Sequence, residues 1–163
     1  MRLSCLVMFY ALGLVACSRS VVSVEGDVKV SDKAQPKCTI TAGDRSWPSD
    51  ILVTVRVENP TSKPFRLMKW NLGKNGRINE SIFAVLRDGQ RIPYRGMIAT
   101  YIPVEGSYIA LQPGQSATTS LHLRQSYDVS AAGSYQIRYE SWNPQSDGTT
   151  LYIASEVVTI QKK

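Results

Sequence analysis

The chain has 163 residues, 43% hydrophobic, 20% charged and 9% aromatic, with a formal net charge of +6. That composition excludes a disordered, collagen-like or multi-span membrane chain and suits one globular domain that buries its own core. It holds a single histidine, His122. Metallohydrolase zinc sites draw on at least two imidazoles, so neither a complete zinc-protease site nor any cofactor is expected.

Met1 and Arg2 make a short positive start, and residues 3–15 are uncharged and mostly apolar. Thirteen residues fall short of the roughly 20 that span a bilayer as a helix. They suit the apolar region of a secretory signal. The run ends in Leu14-Val15-Ala16-Cys17, which resembles the lipobox of bacterial lipoproteins. The resemblance implies cleavage between Ala16 and Cys17, with Cys17 as the lipidated first residue; an ordinary signal peptide is the alternative. Ser18, where an Asp would be the inner-membrane retention signal, points to the outer membrane. Cys5 leaves with the signal, so Cys38 stands alone and is expected as a buried small hydrophobe. Residues 17–37, rich in Ser, Val, Lys, Asp and Glu, read as the lipidated N-terminus and a tether, with an edge strand around Val28 and Val30 as an option. The expected organisation is a signal over 1–16, the tether over 17–37 and one domain over 38–163.

From Cys38 onward the hydrophobic period is two. Ile51, Val53, Val55 and Val57 share one face, against Leu52, Thr54, Arg56 and Glu58, until Asn59-Pro60 breaks the pattern. Residues 65–70 resume extended structure, and Lys74-Asn75-Gly76 marks a loop. Residues 82–87 lead into Asp88-Gly89, a tight hairpin signal, with 91–94 as the return strand. Residues 108–111 run into Gln112-Pro113-Gly114, a type II turn signal. Ala117, Thr119, Leu121 and Leu123 alternate with polar neighbours, as do Tyr135, Ile137 and Tyr139. Residues 151–160 read as a final strand. With no helical period, seven to nine short strands predict an all-β, immunoglobulin-like antiparallel β-sandwich. Asp128, Gly133 and Tyr135 fit a tyrosine corner, in which the Tyr hydroxyl returns to upstream backbone.

Chemical motifs are sparse. Glycine-rich phosphate loops and G-x-S-x-G are absent from the sequence. Ser120 and His122 share a strand face, a common arrangement of polar residues and a weak nucleophile signal. Trp47, Trp70 and Trp142 offer either packing or a carbohydrate platform. The basic residues are scattered, so nucleic acid is not an expected partner.

One set of pieces is more specific: residues 66–71, residues 82–89, Ile92-Pro93-Tyr94-Arg95-Gly96, residues 108–116 and residues 127–139. Over residues 59–142 the set resembles the N-terminal, non-catalytic region of deuterolysin-type (aspzincin) peptidyl-lysine metalloendopeptidases. The resemblance implies a prodomain role, in folding or inhibition. The sequence contains no H-E-x-x-H, so protease activity is not expected to carry over. The expectation is a non-enzymatic, lipid-anchored protein of the bacterial envelope that binds a protein partner, an aspzincin-type metalloprotease, as a detached prodomain or inhibitor. If that partner cleaves at lysine, an exposed loop lysine such as Lys63 or Lys74 is a candidate for its specificity pocket. The alternative is a structural, adhesive or glycan-binding envelope module.

Overall fold

The computed structural model describes residues 35–45, 49–98, 102–145 and 147–163. The signal and the lipidation site, Ala16 and Cys17, lie outside the described residues, as do Val28, Val30 and Trp47.

The described chain is all-β, and every strand pairing is antiparallel. One sheet has the order β1 (Lys37–Arg45), β2 (Asp50–Glu58), β7 (Ser116–His122). The second has the order β10 (Val158–Lys162), β8 (Gly133–Pro144), β4 (Phe83–Arg87), β5 (Gln90–Arg91), with β9 (Thr150–Ala154) also on β8. A short ribbon pairs β3 (Phe65–Met68) with β6 (Tyr108–Leu111). Putting β1, β2 and β7 in one layer and β4, β8 and β10 in the other is the arrangement of an immunoglobulin-like sandwich.

The inner faces follow the period-two pattern. Ile51, Val53, Val55 and Val57 of β2 are fully buried, as are Tyr135, Ile137 and Tyr139 of β8. Phe83 sits opposite Tyr139 in register and meets its ring edge-on, with centroids 5.7 Å apart. Each such aliphatic or aromatic side chain contributes roughly 1.5–3 kcal/mol by leaving water. Cys38 is buried in the same core. Lys162 ties the last strand to the first: its ammonium donates to Ser49 Oγ at 2.6 Å and lies 3.6 Å from Asp44.

Several turns follow their residues closely. Asp88 and Gly89 take φ of 50° and 79°, closing the β4–β5 hairpin. Gly114 takes φ of 76°, and the Gln115 N–H returns to the Gln112 carbonyl. Asn75 and Gly76 close a tight turn between Lys74 and Arg77.

The strand boundaries differ from expectation in three places, and the last of these brings the described strands to ten where seven to nine were expected. The return strand ends at Arg91, because Pro93 has no N–H for the ladder. Residues 65–70 are extended only to Met68. A 3-10 turn follows over Lys69–Leu72, released by Gly73 at φ 66°. The segment expected as one strand over 151–160 is two. Ala154 faces Glu140 and Val158 faces Ile137, so residues 155–157 oppose only Arg138 and Tyr139. Ser155 fills this bulge: its Oγ accepts the Tyr139 N–H at 3.0 Å and donates to the Glu156 carbonyl at 2.7 Å.

Candidate functional site

The residues singled out in the sequence fall in separate places. Tyr135 is fully buried and its hydroxyl donates to the Ala131 carbonyl at 2.7 Å. Asp128, on the same connection, accepts from the hydroxyl of Ser130 at 2.7 Å. Hydrogen bonds from the Ser130 side chain and backbone, with Arg95 and Arg87 nearby, hold its carboxyl below the usual range. Gly133 packs beneath Asp88, whose carboxylate accepts the Ser134 N–H at 2.9 Å. This trio braces the entry to β8 against the β4–β5 hairpin.

Lys63 and Lys74 lie at opposite ends of the β2–β7 pair. Lys63 is in the loop after β2, where Asn59 holds its carbonyl, beside the Glu58–Ser116 end. Lys74 is in the turn whose Gly76 carbonyl accepts the His122 N–H, at the other end. No single loop cluster unites them.

Ser120 and His122 do not pair. The Ser120 hydroxyl bonds to Thr54 across the sheet at 2.9 Å. His122 Nδ1 lies 2.6 Å from Asp50 Oδ2, and Asp50 also accepts the backbone N–H groups of Ile51 and Arg124. The buried Asp50 therefore fixes the imidazole and the end of β7. Among the described residues no three His, Cys, Asp or Glu side chains gather as metal ligands.

Among the described residues a further concavity lies on the outer face where β8 runs beyond β4. It is a groove of about 690 Å³ bordered by Trp142, Tyr152, Glu140, Glu80, Ile82 and Ile98. The alternation of β8 builds it. Ser141 and Asn143 point inward, whereas Trp142 points outward and is 53% exposed. Tyr152 of β9 sits opposite Trp142 in register, with ring centroids 4.9 Å apart and a tilt of 48°. Buried amides hold the backbone beneath: Asn71 Nδ2 donates to the Trp142 carbonyl at 3.0 Å, and Asn143 clamps β3 by donating to the Arg66 carbonyl and accepting the Met68 N–H.

The polar edge of the groove is acidic. The Tyr152 hydroxyl donates to Glu140 Oε2 at 3.0 Å. Desolvation, with that bond and the Glu140 charge, raises the Tyr152 hydroxyl above its ordinary range. Glu80 is half-buried, and desolvation raises its carboxyl too. Its backbone carbonyl accepts the Ile82 N–H at 2.9 Å, and its charge acts on the buried Tyr139 hydroxyl. The site can therefore offer an aromatic shelf beside two carboxylates. Of its members the sequence marks Trp142 as a candidate platform residue and Ile82 as the start of a strand. Glu80, Glu140 and Tyr152 are brought together by strand pairing and have no local signature.

No known protein-family model matches the chain. A stretch of 91 residues, 55% of the chain, is 40% identical to part of an extracellular protease of Aeromonas hydrophila. The match covers 26% of that protease, so the chain corresponds to about a quarter of its relative's length. Over this stretch the chain is similar to a protease-related region.

Proposed function

We propose that this chain is a non-catalytic, protease-associated module of the bacterial envelope, anchored by a lipid on Cys17, which binds a metalloprotease of the aspzincin type as a detached prodomain or inhibitor. The observation that carries the reading is the 40% identity over 91 residues to part of an extracellular protease. The mechanism is steric: a sandwich with fixed loops and strand ends presents a preformed surface to the enzyme. A covalently attached prodomain works at high effective concentration and needs little intrinsic affinity. A detached one has to supply affinity through its own interface, with co-anchoring at the membrane supplying part. The expected affinity in solution is on the order of micromolar, about −8 kcal/mol.

The test is a titration of the purified full-length protein against the host's secreted lysine-specific protease, reading peptidase activity and complex formation. Saturable complex formation or inhibition supports the proposal. Unchanged activity with no complex at about 100 micromolar, far above the expected constant, defeats it. A second reading, a glycan-binding envelope module, is favoured by one observation, the exposed indole of Trp142 beside Tyr152. The lipid anchor has its own check: Cys17→Ser should release the protein from the membrane fraction, and an intact chain with unmodified Cys17 would remove the anchor from the proposal.

A further inference from the structure

We infer that the groove bordered by Trp142, Tyr152, Glu80 and Glu140 is a receptor site for a lysine or arginine side chain, presented by an extended segment of a partner polypeptide. This deepens the reading of the chain as a partner-binding module and rests on it.

The first argument is charge. The chain carries a formal charge of +6, yet this groove gathers two carboxylates at its edge. Among the described residues no cation or hydrogen-bond donor engages the Glu80 carboxylate. A half-buried carboxylate has lost part of its hydration, and a cation arriving from a ligand restores the missing interaction. The raised carboxyl of Glu80 agrees with that uncompensated burial. Glu140 is already aimed by the Tyr152 hydroxyl. The cations around it are Arg91, 4.0 Å away and 69% exposed, an ion pair weak enough to yield to a better-placed partner, and Arg138, whose charge reaches the Tyr152 hydroxyl.

The second argument is the aromatic shelf. Indole and phenol faces attract ammonium and guanidinium groups. The same faces pack against the methylene stem of a Lys or Arg, so one shelf serves both parts of the side chain. Trp142 is exposed and Tyr152 is tilted against it, giving a two-walled corner with the carboxylates beside it.

The third argument is size and surroundings. A volume of about 690 Å³ lies in the range of ligand clefts and exceeds the needs of one side chain. Ile98, 75% exposed, adds apolar surface to the groove, which suits a neighbour of the cationic residue in an extended peptide. A neutral oligosaccharide would stack on the rings and donate hydroxyls to the carboxylates without bringing a cation, so its binding would not weaken with added salt.

The experiment uses the full-length protein and four blocked pentapeptides that differ only in a central Lys, Arg, norleucine or Glu, together with cellohexaose. Binding is read by calorimetry at low and high salt. The Lys and Arg peptides should bind, and the norleucine peptide should bind about tenfold or more weakly. Added salt should weaken the first two selectively. Glu80→Gln should abolish the preference for Lys over norleucine, and Trp142→Ala should weaken all peptides. Both side chains are at least partly exposed, so the thermal transition should be preserved; if Trp142→Ala misfolds, Glu80→Gln decides alone. Equal binding of Lys and norleucine peptides, binding of cellohexaose alone, or no peptide binding at millimolar concentration each overturns the inference. If Glu80→Gln and Trp142→Ala still bind the host protease as the wild type does, the groove is not its docking site and the protease-binding proposal stands without it.

Discussion

The hydroxyl of Tyr135 donates to the carbonyl of Ala131, 2.7 Å away and four residues upstream, where the chain enters β8. The ring is fully buried, whereas Ala131 is exposed. Removing the hydroxyl alone therefore leaves a carbonyl that water can reach. Tyr135→Phe should cost about 1 kcal/mol of unfolding free energy. Tyr135→Ala also empties the core beneath β8 and should cost about 3–5 kcal/mol. Urea denaturation of the two variants checks this, and equal losses would show that the hydroxyl, ring and connection do not act as described.

Asn59 closes β2 with both ends of its amide. Its Nδ2 donates to the carbonyls of Lys63 and Leu111 at 2.8 Å each, and its Oδ1 accepts the backbone N–H and the hydroxyl of Thr61. Asn59 and Leu111 are buried, so the Leu111 carbonyl has little access to water. Asn59→Ala should cost about 2–3 kcal/mol by stranding these groups. Thr61→Ala leaves the backbone donor on Oδ1 and should cost less than about 1 kcal/mol. Reversal of that order in thermal denaturation would refute the assignment.

Gly73 ends the 3-10 turn with φ of 66°. A Cβ there would press on the Arg77 carbonyl oxygen and on the Cδ2 of the fully buried Leu121. Backbone strain and overpacking act together, and Gly73→Ala should lose about 3 kcal/mol. Gly106 has open space where its Cβ would stand, so Gly106→Ala should stay within about 0.5 kcal/mol of the parent. Comparable unfolding midpoints for the two variants would contradict the packing at Gly73.

These cases mark what the residues announce by themselves. The alternation of Ile51, Val53, Val55 and Val57 reads directly as one buried face, because strand periodicity is a local property. Asp88-Gly89 reads directly as a turn because positive φ selects those residues. The bulge at Ser155 has no such mark, since an extra residue exists only relative to the partner strand. The groove is hidden for the same reason. Glu80 precedes β4, Glu140 and Trp142 are on β8, and Tyr152 is on β9, so their meeting is a consequence of register. The 3-10 turn after Met68 depends on amides of Asn71 and Asn143 reaching distant backbone.

Burial also makes the fold sensitive to alkali. Desolvation pushes the Cys38 thiol from 9.0 up to about 12. Burial also pushes the Tyr127 hydroxyl up to about 12, and Tyr139, packed against Phe83, is raised further. The unfolded chain releases these protons near their ordinary values while the folded chain keeps them. Above pH 9 the folded state therefore binds more protons, and stability falls as pH rises. The decline should begin near pH 9, where the unfolded Cys38 ionises, and steepen near pH 10, where the unfolded tyrosines join it. It should continue toward pH 12, where the folded Cys38 and Tyr127 titrate. Urea midpoints at pH 7, 9, 10 and 11 should fall in that order. Cys38→Ala should remove the onset near pH 9 and lessen the slope from there toward pH 12, leaving the tyrosines' part from about pH 10 upward. The same burial keeps the thiolate scarce at neutral pH, so peptide mass mapping after iodoacetamide at pH 8 should find Cys38 unmodified in the folded protein and alkylated in urea. Midpoints that do not change between pH 7 and 11, or rapid alkylation of Cys38 in the folded chain, would place this thiol in a wetter environment than the core beside β2.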